Sequence, residues 1–197
     1  VTGQVFNSGV GIDDCFAALE NSWHAAVLSA ASFNQTAISD NSPWRKGVGI
    51  ASCWYGCGNT SLPNPSTMRM GITADGRIVL HQGAMDIGQG ANTVITQIAA
   101  DAFGVPVHDV QILGGDTDLT PDCGKTSASR QTFVSGKAAM LSGMALREMV
   151  LRHGNVDANA KIAFDGAALT LADSVGGTLR IALADMPVND YGYVFMA

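Results

Sequence analysis

The chain has 197 residues, of which 47% are hydrophobic and only 14% charged, and its formal charge is −6. The acidic balance and the lack of any Lys/Arg run exclude a nucleic-acid binder. No apolar stretch reaches the ~20 residues that span a bilayer, and no signal-peptide pattern is visible; a cytoplasmic location is expected, with a periplasmic one as the alternative. The charged share lies well below the ~25% of an average soluble domain, so the chain is either well buried or leans on neighbours.

Residues 12–33 are expected to form a helix. Asp13 and Asp14 suit the positive end of its dipole, and Phe16, Leu19, Trp23, Ala26 and Val27 recur at helical spacing. Residues 34–46 read as a polar loop. Strands follow at Val48–Tyr55 and Ser66–Thr73. Ala74–Asp75–Gly76–Arg77 is a hairpin turn, and Ile78–His81 returns from it. A helix over 91–103 ends at Gly104 and Pro106. Val107–Leu113 reads as a strand, and 128–152 as a long helix with Gly136 and Gly143 at close-packing positions. Beyond 155 come short strands at Ile162–Asp165, Ala168–Leu171, Thr178–Leu183 and Tyr191–Met196. This irregular alternation with a hairpin predicts an α+β fold: a mixed or antiparallel sheet packed by two or three helices.

Two glycine-bearing segments open helices. In Asp86–Ile87–Gly88–Gln89–Gly90, glycines at a helix start let a ligand approach unpaired backbone amides, and Gln89 offers both a donor and an acceptor to a polar ring edge. Alone this signal is weak, because a Gly-Gln-Gly before a helix is a plain turn in most proteins. In Gly124–Lys125–Thr126–Ser127–Ala128–Ser129–Arg130–Gln131–Thr132, hydroxyls, a guanidinium and helix-start amides make an anion-binding composition, although the P-loop spacing is absent. The bland alternative is a Ser-rich helix cap. The acids of 114–122 lack the calcium-loop glycine and read as a polar turn. His81, His108, His153, Asp86 and Asp116 are acid–base candidates by residue type only, because no Ser/His/Asp or Cys/His pattern joins them. Cys53 and Cys57 lack a second ligand pair, so Cys15, Cys53, Cys57 and Cys123 read as buried free thiols.

Taken in order, Gly88–Gln89–Gly90, Thr93, Gln97, Gly115–Asp116–Thr117, Thr120–Pro121, Gly124, Ser127–Ala128–Ser129–Arg130–Gln131–Thr132 and Gly136–Lys137–Ala138 resemble the molybdopterin-binding subunit of the xanthine dehydrogenase and aldehyde oxidoreductase family. The resemblance implies that Gly88, Gln89 and Gly90 meet the pterin of a molybdenum–pterin cofactor. It implies that Ala128, Ser129, Arg130 and Gln131 meet its phosphate or nucleotide end, which in some members is a cytosine dinucleotide. It implies hydroxylation of an aldehyde or N-heterocycle with water as oxygen source, and a [2Fe–2S] domain or subunit as electron partner. Ile87 stands where some aldehyde-oxidising members carry a histidine. The family's Gly-Gly-Phe-Gly loop and its late Gly-Glu-Pro glutamate, the base at molybdenum, are not in these residues. The expectation is therefore one domain, 1–197, cut from a larger subunit and inactive alone. Its parts are a helix and loop (1–46), a cofactor-cradling core (47–153) and short strands (154–197), with the rest of the subunit as partner. No residue here is expected to be catalytic or to bind the metal. The rival expectation is a binding or assembly module that keeps the scaffold without the cofactor.

Overall fold

A computed structural model describes residues 5, 9–53, 55, 58 and 63–197. Its contacts divide the chain into two units, Val1–Tyr55 and Gly56–Ala197.

The first unit is built on α1 (Ile12–Ser39). The helix runs past residue 33 and takes residues 34–39 from the expected loop. Its polar last turns are satisfied within the helix, where the Thr36 and Ser39 hydroxyls donate to the carbonyls of Ser32 and Gln35. Asn34 holds the following segment, accepting from the Lys46 amide at 2.8 Å and donating to its carbonyl at 2.9 Å. The expected strand Val48–Tyr55 does not form among the described residues, which are irregular there and exposed. Gly47 and Gly49 break that stretch and offer no side chain to pack. Cys57 lies outside the described residues. Among the described cysteines Cys15 and Cys53 are exposed and Cys123 is buried, which corrects the reading of buried thiols for the first two.

The second unit is α+β. Strands β1 (Arg69–Thr73) and β2 (Ile78–His81) form the expected hairpin. From β2 the chain crosses through α2 (Ala91–Phe103) to β3 (Val110–Leu113), which pairs with β2 in parallel. The predicted start of β3 is instead a 3-10 turn at Val107–Asp109. Helix α3 (Gly136–Gly154) follows a single π-helical turn at Gln131–Ser135. Strands β4 (Lys161–Asp165), β5 (Ala168–Ala172) and β6 (Thr178–Ala182) form an antiparallel three-stranded sheet. Strand β7 (Tyr193–Met196) returns to the first sheet beside β1, giving the order β3-β2-β1-β7.

One apolar core joins these layers. Met70, Ile72 and Leu80 of the sheet, Ile95 and Phe103 of α2, and Leu146 and Val150 of α3 are at most 1% exposed. Burying a side chain of this size contributes roughly 1.5–3 kcal/mol. Strand β2 is buried along its whole length, which explains its unbroken apolar run. Helices α2 and α3 touch at Gly143, where an added Cβ would stand 2.6 Å from the Ala99 carbonyl oxygen and 3.0 Å from the Ala102 methyl. A backbone oxygen cannot yield cheaply. Gly143→Ala should therefore lower stability by about 1–3 kcal/mol, although alanine is the better helix former by about 1 kcal/mol. Denaturant unfolding checks the sign.

Candidate cofactor-binding site

The end of β2 and the start of α2 are joined by residues 82–90. Asp86 organises this turn. Its Oδ1 accepts from the amides of Gly88 (2.9 Å) and Gly90 (3.3 Å), and its Oδ2 from Asn92 (3.0 Å). Gly88 and Gly90 have φ of +101° and +82°, a left-handed backbone that glycine adopts without steric cost. An added Cβ at either would meet nothing within 4 Å, so the backbone is open on that side. The Gln89 side chain folds back, accepting from the Ile87 amide and donating to the Met85 carbonyl. The structure thus brings Gly88, Gln89 and Gly90 together at the start of α2, but the chain's own carboxylate already occupies the amides there. Those amides hold the Asp86 carboxyl below its ordinary 3.8, Asn92 contributing most and then Gly88, with partial burial opposing.

Just before Gly83, Gln82 is 1% exposed, and its Nε2 donates to Asn92 Oδ1 at 2.6 Å. Its Oε1 is buried without a hydrogen-bond partner. Such an atom is costly to leave unpaired and marks a place where a donor belongs.

The second segment departs from the expected helix start at 128. Ala128 and Ser129 have φ of +52° and +53°, so the helical turns begin only at Gln131. Left-handed conformations cost L-residues roughly 1–2 kcal/mol each, and such strain persists only where neighbours enforce it. Arg130 is the enforcer. It is 2% exposed. Its Nε donates to Asn64 Oδ1 (3.1 Å), its Nη1 to the carbonyls of Cys123 and Lys125 (2.8 Å each), and its Nη2 to that of Pro65 (2.6 Å). The guanidinium is therefore held by Asn64 and three backbone carbonyls, at the edge of a cavity it lines with Pro63, Asn64, Pro65, Asp122, Gly124 and Lys125. No carboxylate forms an ion pair with it among the described residues. A buried guanidinium thus sits behind this turn, with neutral acceptors among the described residues. Gln131 is also pinned, donating to the Lys125 carbonyl and Thr126 Oγ1 and accepting from Ser135.

The two segments meet. Thr126 Oγ1 accepts from the Met85 amide and donates to the Met85 carbonyl, each at 3.1 Å. Deeper, buried Cys123 accepts from the Gly83 amide and donates to the Thr67 carbonyl, each at 3.1 Å. The Asp–x–Gly spacing at 86–88 was a readable sign of the Asp86 turn. Asn64, Cys123 and Thr126 carry no such sign, because their partners are distant in sequence.

The other candidates serve the fold. His81 is buried at the end of β2 against a backbone partner. Its Nδ1 donates to the Leu119 carbonyl at 3.0 Å, and its Nε2 is hydrogen-bonded to the Tyr193 hydroxyl at 2.6 Å. Burial raises the Tyr193 phenol above its ordinary value, against a smaller opposing effect of Arg77. Asp116 accepts from the amides of Asp118 and Leu119 in a polar turn. His108 is exposed beside Asp109, and His153 packs edge-on against Phe195. Among the described residues there is no cluster of metal-ligating side chains and no helix long and apolar enough to cross a membrane.

The sequence profile of the molybdopterin cofactor-binding domain matches residues 18–184. The xanthine dehydrogenase molybdenum-binding subunit of Escherichia coli O157:H7 is 38% identical over 115 residues, which are 57% of this chain and 15% of that subunit. The xanthine dehydrogenase of Dictyostelium discoideum is 31% identical over 123 residues, 62% of this chain and 9% of that protein. The chain thus spans a small part of each relative's length. The structure of the aldehyde oxidoreductase from Desulfovibrio gigas superposes with a TM-score of 0.52 over 91% of this chain and 23% of that one, at 23% identity, a likeness of fold.

Replacing Arg130 with methionine should cost about 3 kcal/mol or more in denaturant unfolding, since it strands several buried acceptors at once. A loss under 1 kcal/mol would show that the turn stands without it. For Asp86, whose folded pKa is depressed, the stabilising contribution is present above the ordinary value and is lost as pH falls through the folded one. The difference in unfolding midpoint between the native protein and Asp86→Ala should therefore be full above about pH 5 and shrink below about pH 4. A difference that stays constant to pH 2 would contradict the assignment.

Proposed function

The chain belongs to the molybdopterin cofactor-binding domain family, and from that premise we propose that it is part of a molybdenum hydroxylase, an oxidoreductase that hydroxylates an aldehyde or an N-heterocycle with water as the oxygen source. In this reading residues 1–197 are one piece of a larger, cytoplasmic subunit, and the remaining residues complete the pocket. A [2Fe–2S] domain or subunit takes the electrons. When bound, the molybdenum–pterin group supplies the redox chemistry. This chain supplies position and electrostatics and, lacking the base, is inactive alone.

The residues present fit such a group. A flat, polar ring edge can approach the open backbone of Gly88 and Gly90, with Gln89 beside them. Buried Gln82 Oε1 calls for a donor at the same helix start. An anion suits the other segment. Ala128 and Ser129 offer a left-handed turn, Arg130 lies behind it as a buried positive charge, and Gln131 fixes the first helical turn. The observation that carries the reading is that buried, unneutralised guanidinium, which favours a phosphate nearby without touching it. Arg130 is then a positioning residue, while the Ala128–Ser129 backbone faces the phosphate or nucleotide end. A cytosine dinucleotide form is consistent with this anion end.

One observation favours the second reading, a binding or assembly module without cofactor: Asp86 fills the α2 amides from within. Metal analysis of the complete protein with its partners separates the two. Stoichiometric molybdenum, with cytidine monophosphate released on acid hydrolysis, is the expected result. Neither molybdenum nor a pterin in the fully assembled protein would select the module.

A further inference from the structure

We infer that the Thr126 hydroxyl is the clasp that sets the separation of the two cofactor-facing loops, which makes Thr126 a positioning residue for the bound group; the inference rests on the cofactor reading above. A threonine hydroxyl has one hydrogen and two lone pairs. All three are used here. The hydrogen goes to the Met85 carbonyl, and the lone pairs take the Met85 amide and Gln131 Nε2 (2.9 Å). The oxygen is therefore orientationally fixed. It is referenced on one side to the helix start at Gln131, which is itself buried and tied to Lys125 and Ser135. On the other side it holds both polar groups of one peptide-bearing residue in the opposite loop.

At their base the segments are closely packed, since an added Cβ at Gly83 would lie 2.5 Å from the Pro121 carbonyl oxygen. At the tip, Met85 is 54% and Ile87 76% exposed, so side-chain packing contributes little restraint. The Thr126–Met85 pair supplies two hydrogen bonds between 85–90 and 124–131. A group that touches Gly88–Gln89 at one end and Ala128–Ser129 at the other feels any change in that spacing. Two neutral hydrogen bonds of ordinary worth correspond to about a tenfold to hundredfold bias toward the closed arrangement.

The test uses the complete, assembled protein carrying Thr126→Val, which keeps the shape and loses the oxygen, and Thr126→Ser, which keeps the oxygen. Hydrogen exchange is followed in the peptides spanning 85–90 and 124–131, and molybdenum retained on the protein is followed over time after gel filtration. With valine, exchange should speed up about tenfold in both segments and little elsewhere, and molybdenum should leave about tenfold faster. Serine should restore both. Unchanged exchange at 85–90 in the valine variant would overturn the clasp. Faster exchange with unchanged retention would overturn its role in positioning while leaving the cofactor reading intact. Wild-type protein that never holds molybdenum would sink the cofactor reading, and the positioning role with it, while the exchange data still decide whether the clasp exists.

Discussion

The second unit depends on a single buried guanidinium. Arg130 gathers the carbonyls of Pro65, Cys123 and Lys125 and the side chain of Asn64, so segments far apart in sequence share one hub. Burying such a charge costs several kcal/mol unless its donors are well satisfied. The satisfaction comes from carbonyl dipoles, and it demands space. Gly124 has φ +69°, and an added Cβ there would stand 2.8 Å from the Pro65 oxygen and 2.9 Å from both terminal guanidinium nitrogens. Glycine at that position is thus required twice, once by backbone and once by volume. The strained Ala128–Ser129 turn exists because this hub holds the residues on either side of it.

Helix starts of similar appearance in sequence end up with opposite electrostatics. At α2 the chain brings its own carboxylate to the amides, so a further anion there would meet a negative charge. Before α3 it buries a cation and leaves it unneutralised among the described residues. The proposed division of labour, a ring edge at Gly88–Gln89 and an anionic tail at Ala128–Ser129, follows from that asymmetry rather than from the glycine patterns, which are alike.

What could be read in the sequence was what local chemistry decides. Helix α2 has the expected bounds because Gly90 and Gly104 cap it in left-handed conformations, and the β1–β2 hairpin follows from its Asp-Gly turn. The strand expected at 48–55 failed because no ladder partner forms there among the described residues, a tertiary fact invisible to a local pattern. The start of α3 was misplaced because Ala128, the best helix former by propensity, and Ser129 are held left-handed beside the Arg130 hub. Arginine is almost never fully buried, so neither its burial nor its inward bonds could be anticipated. Asp86 was visible as an acid, and only the structure shows it acting as an internal cap. Thr126 and Cys123 link loops some forty residues apart, and single-sequence reasoning has no signal for such pairs.

Strand β1 is sandwiched between β2, its immediate neighbour in the chain, and β7, more than a hundred residues further on. Gly71 pairs with Met196, and Met70 exchanges both backbone hydrogen bonds with Ala197. During synthesis β1 therefore waits with one ladder edge open while the whole of α2, α3 and the smaller sheet is made. Closing so long a loop is entropically slow, and an open apolar strand edge is an aggregation template in the meantime. The nascent chain thus passes through a vulnerable interval on the ribosome that lasts until β7 emerges, and a chaperone that shields β1 during that interval would raise its yield without altering its final stability.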